Sequence, residues 1–184
     1  MPQPTSLGRP ALFLDLDGTV RDTLSGRVHP MEAWDQRLRP GVAARLREYR
    51  TRGYAIVGVT NQGAVGLGWL SEVEVEEINR HLREELAPGL FDLILYSPYH
   101  PHARHPAYRD QAHRRKPNPG MAYEARDRLG LDLAASIMVG DMESDRLFAR
   151  NAGIGSFAWA GAFFHPAAPL AGLGKPGEPR VAGE

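Results

Sequence analysis

Short apolar runs alternate along this chain with helical stretches, and that alternation restricts the fold more than any other feature. Ala11 to Leu14 is apolar throughout and stops abruptly at Asp15-Leu16-Asp17-Gly18-Thr19. A run without polar alternation suits a strand covered on both faces, as in a parallel sheet. Tyr54 to Val59, Phe91 to Tyr96, Ile137 to Val139 and Ser156 to Trp159 read the same way. Between them, Gly41 to Arg52 places Val42, Leu46 and Tyr49 on one helical face and ends at Gly53, suited to the position just past a helix. Ser71 and Glu74 match a capping box, followed by the stripe Val75, Ile78, Leu82 and Leu86. Asn118 is expected to cap a helix with Pro119 at its first position, and Asp145 to Ala152 reads as a helix stopped by Gly153. The stretch before Pro40 reads as a long loop in which Trp34 is expected to pack against the sheet.

This order predicts an α/β fold: a three-layer, Rossmann-like domain with a central parallel sheet. No insertion is long enough for a separate cap domain. The domain is expected over 10–164, after an N-terminal extension of 1–9 and before a tail of 165–184 that holds four prolines and four glycines. With 184 residues there is room for one full core. No apolar stretch approaches the ~20 residues that span a bilayer, and the N-terminus lacks a signal-peptide layout. A cytoplasmic protein is expected, monomeric and without membrane contact.

Two absences constrain the chemistry. The chain has no cysteine, which removes disulfides, thiolate metal sites and cysteine nucleophiles. Of its 22 basic residues only Lys116 and Lys175 are lysine, so any step that demands lysine falls to one of them. The 22 acidic residues balance the basic ones, which weighs against a nucleic-acid coat or a polybasic membrane binder.

Active sites of parallel α/β sheets gather at the carboxyl ends of strands. Three polar clusters sit where that rule puts them: Asp15 with Asp17, Thr60 with Asn61, and Asp141. Each is ordinary turn or surface chemistry if taken alone. In combination, Asp15 and Asp17 repel, so that one can stay protonated while its neighbour ionises. With Asp141 they supply oxygen donors for a hard cation, for which magnesium is the natural choice. Such an ion would hold phosphate oxygens against an attacking carboxylate, while Thr60, Asn61 and Lys116 held the others.

Asp15-Leu-Asp-Gly-Thr19, Thr60-Asn-Gln62, Arg115-Lys-Pro117 and Gly140-Asp141 with Asp145 resemble the four motifs of the haloacid dehalogenase superfamily of phosphatases. Arg115 to Met121, Met138 to Asp141, Thr60 to Gly63 and Val28-His29 narrow the resemblance to the D-glycero-D-manno-heptose 1,7-bisphosphate 7-phosphatases, in the histidinol-phosphate phosphatase-like subfamily. The resemblance implies that Asp15 attacks phosphorus and that Asp17 protonates the leaving oxygen and then deprotonates water. Thr60 and Lys116 would stabilise the transferring group. Asn61, Gln62 and Arg115 would contact the substrate. Magnesium would be held by Asp15, the Asp17 carbonyl and Asp141, with Asp145 orienting its neighbours.

The chain also departs from that pattern. The family's zinc-loop ligands fall on Ser97, Tyr99, Ala112 and Arg114, none of which is a zinc ligand, and zinc is therefore not expected. Met142 stands where the heptose enzymes often carry lysine. The expected partner is a small phosphorylated molecule, with histidinol phosphate as the alternative substrate. A nucleic-acid 3′-phosphate, engaging the basic stretch from Arg104 to Lys116, and a non-catalytic sugar-phosphate-binding module are the remaining readings.

Overall fold

The computed structural model describes residues 8–109 and 112–165. Five strands form one parallel sheet: β1 (Ala11–Leu14), β4 (Ala55–Asn61), β5 (Leu93–Ser97), β6 (Ile137–Gly140) and β7 (Ser156–Trp159), in the order β5-β4-β1-β6-β7. A second ladder pairs β2 (Arg21–Asp22) with β3 (Arg37–Leu38) in antiparallel fashion. The helices are α1 (Val42–Thr51), the single turn α2 (Gly63–Gly66), α3 (Glu72–Leu86), α4 (Gly120–Leu129), α5 (Glu143–Ala152) and the short α6 (Ala160–Phe163). Among the described residues no helix is long and apolar enough to cross a membrane.

The continuous apolar runs are explained by two cores, one on each face of the sheet. On one face Leu12, Leu14, Ile56, Ile94, Ile137 and Val139 pack with Val42, Leu46 and Tyr49 of α1 and Leu82 and Leu86 of α3. On the other, Ala11, Phe13, Ala55, Val57, Val59, Leu93, Leu95 and Met138 meet Met121, Ala122 and Ala125 of α4 and Phe148, Ala149 and Ala152 of α5. Alternate residues of each strand therefore feed opposite cores, as the pleat requires. A third, smaller cluster joins Ala64, Val65 and Leu70 to Val75 and Ile78 of α3.

The capping box is present in full. Ser71 Oγ accepts the Glu74 N–H at 3.2 Å, and Glu74 Oε2 accepts the Ser71 N–H at 2.7 Å. Ser71→Ala is expected to lower stability by about 1 kcal/mol in a urea titration, with kcat unchanged because the Ser71 side chain is bonded to Glu74 and to none of the charged residues around Asp15.

Three local expectations are corrected. Pro119, with φ −84°, is itself the residue preceding α4, so Asn118 lies one position before the cap. The proline ring already fixes the helical φ at that boundary. Trp34 is 59% exposed, and its indole N–H donates to Glu32 Oε2 instead of reaching the sheet. The loop before Pro40 carries order of its own, the β2–β3 ladder. The tail reading lies outside the described residues from 166 onward, as does the N-terminal extension up to residue 7.

β1 is the central strand, and the chain builds first to one side of it and then to the other. Leu14 pairs with Gly58 of β4 and Val139 of β6, so the ends of three strands open together at this switch in strand order.

Candidate active site

Asp15 follows β1 directly, and its N–H donates to the Val139 carbonyl at 3.0 Å, tying it to β6. Lys116 arrives from the far side of the sheet on the turn before α4. Its Nζ donates to Asp15 Oδ1 at 2.5 Å and to Asp145 Oδ1 at 2.6 Å, with all three residues buried. Burial, more than any neighbour, pushes the Asp15 carboxyl up to about 7; Asp145 and Asp17 add to the rise and the Lys116 ammonium opposes it. Burial also pulls against the charged Lys116, but its two carboxylate partners prevail and raise its proton affinity.

Asp145 Oδ2 accepts the Met142 N–H at 3.1 Å, so this carboxylate both caps α5 and grips the lysine. Asp141, at the surface just past β6, completes the group: Asp15, Asp141 and Asp145 offer oxygens within 4.8 Å of one another. Burial followed by repulsion from Asp145 raises the Asp141 carboxyl. When ionised, three carboxylates against one ammonium leave two negative charges uncompensated, and all the donors are oxygens. A divalent, oxygen-preferring cation fits that set.

Two glycines make this approach possible. Gly18 has φ +83°, and a Cβ on it would lie 2.2 Å from Asp141 Oδ2; a Cβ on Gly140 would lie 2.3 Å from that of Asp145. Gly18→Ala combines backbone strain with displacement of Asp141. It is expected to cost about 1–3 kcal/mol in thermal unfolding and to lower phosphatase kcat by about 10²-fold.

Asp17 has partners of its own outside this cluster. Its Oδ1 accepts Arg21 Nε at 2.7 Å, and its Oδ2 accepts Gln62 Nε2 at 2.7 Å. Gln62 also donates to Thr60 Oγ1 at 3.2 Å. Gln62 is buried, and its amide nitrogen braces Asp17 and Thr60. The Asn61 amide is engaged as well. Its Nδ2 donates to the Lys116 carbonyl and its Oδ1 accepts the Lys116 N–H, both at 3.0 Å, clipping the end of β4 to the lysine's peptide unit. Arg115 turns its Nη1 to the Tyr99 carbonyl at 2.9 Å, beside His100. Sequence reasoning missed Arg21 and Gln36, whose amide oxygen accepts Arg21 Nη1 at 2.9 Å. The only available signal was an arginine four residues after Asp17.

The loop between β5 and α4 is tied by contacts of other kinds. Arg114 pairs with Glu124 at 2.9 Å, and Ser97 Oγ is buried with no hydrogen-bond partner. Glu72 accepts the hydroxyls of Tyr96 and Tyr108 at 2.9 and 2.7 Å. His100 and His105 each use Nδ1 to accept a nearby backbone N–H, and among the described residues the histidines form no cluster of three potential ligands.

A parallel α/β sheet with an Asp-x-Asp turn after its central strand, faced by a buried lysine and further aspartates, defines a haloacid dehalogenase-type hydrolase. Residues 113–169 match the HAD-hydrolase-like family. Over 149 residues the chain is 40% identical to the D-glycero-beta-D-manno-heptose-1,7-bisphosphate 7-phosphatase of Salmonella typhi, covering 80% of this chain and 78% of that one. Its fold is similar to that of a HAD-like protein from Mesorhizobium loti (TM-score 0.73, 31% identity, 86% and 74% coverage). It is also similar to the D,D-heptose 1,7-bisphosphate phosphatase of B. bronchiseptica, complexed with magnesium and phosphate (TM-score 0.67, 26% identity, 80% and 78% coverage). The chain belongs to the family of the D-glycero-beta-D-manno-heptose-1,7-bisphosphate 7-phosphatases, within the haloacid dehalogenase-like hydrolases, and is a phosphatase.

Proposed function

We propose that the chain is a magnesium-dependent phosphatase that removes the 7-phosphate of D-glycero-D-manno-heptose 1,7-bisphosphate through an aspartyl-phosphate on Asp15. The observation that carries this reading is the buried Lys116 ammonium held between Asp15 and Asp145 with Asp141 beside them. Asp15, Asp141 and the Asp17 carbonyl would hold the magnesium, whose charge screens the phosphoryl oxygens from the attacking carboxylate. Asp15 attacks phosphorus. Asp17 gives a proton to the departing sugar oxygen, then takes one from the water that hydrolyses the intermediate. Lys116 and Thr60 stabilise charge on the transferring group. Asp145 holds Lys116, Asn61 holds its backbone, and Arg115 contacts the second phosphate.

Hydrolysis of heptose bisphosphate, histidinol phosphate and a 3′-phosphorylated oligonucleotide separates the readings. The expected result is a kcat/KM at least about 10²-fold higher on the heptose, since specificity resides in that ratio. A preference for histidinol phosphate would overturn the substrate. Chelation is expected to remove activity by more than about 10²-fold, with recovery on adding magnesium. Chelator-resistant activity would overturn the metal dependence.

A further inference from the structure

The residue behind Asp17 is a cation in an unusual place. Arg21 is 1% exposed, among the largest fully buried side chains, although it begins a two-residue strand in a loop region. A tight turn returns it to Asp17: the Gly18 N–H donates to the Arg21 carbonyl at 2.9 Å, and the Arg21 N–H to the Leu16 carbonyl at 3.0 Å. The guanidinium then spans two acceptors, Asp17 Oδ1 through Nε at 2.7 Å and Gln36 Oε1 through Nη1 at 2.9 Å. Gln36 cannot present its nitrogen there, because that nitrogen already donates to the Ala33 and Ile78 carbonyls at 2.8 and 3.0 Å. Ile78 lies in α3, so the chain of contacts runs from a long helix through Gln36 and Arg21 to Asp17. With Gln62 on Oδ2, each Asp17 oxygen is gripped from a different element, which fixes the plane of the carboxylate.

Filling this space does not call for a guanidinium. A buried cation is costly to desolvate, and an apolar side chain of similar volume would pack as well or better. A planar, rigid donor fork is instead suited to orienting a carboxylate. We propose that Arg21, anchored by Gln36, is a positioning residue that holds Asp17 in the orientation from which it exchanges protons with the leaving oxygen and the hydrolytic water.

The inference rests on the acid–base assignment of Asp17 above. In the first half-reaction the Asp15 O–P bond forms, the bond from phosphorus to the leaving oxygen breaks, and that oxygen takes the Asp17 proton. In the second, a water oxygen bonds to phosphorus, the bond to Asp15 breaks, and the water's proton returns to Asp17. A p-nitrophenolate leaving group departs without a proton, so with p-nitrophenyl phosphate only the second half needs Asp17.

Stopped-flow release of p-nitrophenolate by the magnesium-loaded enzyme therefore tests the role. Arg21→Gln is expected to give a burst of about one p-nitrophenolate per active site, followed by turnover about 10²-fold below wild type. Asp17→Asn should give the same signature. Gln36→Met should shift turnover the same way by about tenfold, and it decides the matter if Arg21→Gln does not fold. Wild-type turnover in Arg21→Gln, or in Gln36→Met where only that variant folds, overturns the proposal. So does a loss of burst and turnover together in Arg21→Gln, which is the mark of a merely structural residue. A burst absent from Asp17→Asn itself would instead overturn the assignment of Asp17.

Discussion

Asp15→Asn is expected to abolish turnover of every phosphoester, lowering kcat by about 10⁴-fold or more, because the amide is no nucleophile towards phosphorus. The fold should survive. Asn keeps the shape, and Lys116 retains Asp145 at 2.6 Å. The ionised Asp15 is also a burden on the metal-free protein, since burial and two neighbouring carboxylates push its carboxyl up to about 7. The folded protein therefore binds a proton there that the unfolded chain releases nearer pH 4. Between those limits, stability contributed at this site falls as pH rises. In chelator, the wild-type melting temperature should carry that downward contribution from about pH 4 to pH 7, and in Asp15→Asn it should be reduced to the part that the raised Asp141 carboxyl supplies. Phosphate release and thermal melts across that range make the check. Wild-type turnover in the variant would sink the nucleophile assignment.

The sheet was legible because its strands are buried on both faces. Ala11 to Leu14 carries no polar alternation, and the structure feeds its residues in turn to two cores. The stripe of α3 was legible for a related reason: Val75, Ile78, Leu82 and Leu86 are all buried. Where periodicity was weak, the reading failed. The β2–β3 ladder is two residues per strand, too short to show a period of two. Residue type alone sends Trp34 inward, yet its position in the loop leaves it at the surface.

The charged centre was legible from the strand-end rule and from the motif resemblance, in which Arg115-Lys-Pro117 singled out Lys116 from the two lysines. Its supports were not. Asn61 and Gln62 follow Thr60 in an apparent substrate-contact motif, but which way an amide turns depends on residues brought in from 45 and 55 positions away. Arg21 is the sharper case. Local sequence marks arginine as a surface residue, and only the fold supplies the acceptors that let it be buried.

Lys116→Met should be among the most disruptive single changes available, because it removes the one cation from a quartet of which only Asp141 reaches the surface. Asp15 and Asp145 would then face each other unpaired, at an expected cost of about 3–5 kcal/mol in urea unfolding without metal. Loss of the ammonium should also lower kcat by about 10²–10³-fold. Stability and activity separate in the double variant Lys116→Met/Asp145→Asn. Lys116→Met alone takes the quartet from two excess negative charges to three, and Asp145→Asn brings it back to two. The asparagine oxygen can still accept the Met142 N–H that caps α5. Stability should therefore recover by about 1–3 kcal/mol relative to the sum of the single changes. Activity should not recover, because no ammonium remains to face the transferring phosphoryl group. A strictly additive cycle would mean that Lys116 and Asp145 do not act as a unit. A double variant with restored turnover would show that balancing the carboxylates, and not stabilising the phosphoryl oxygens, is what the lysine does.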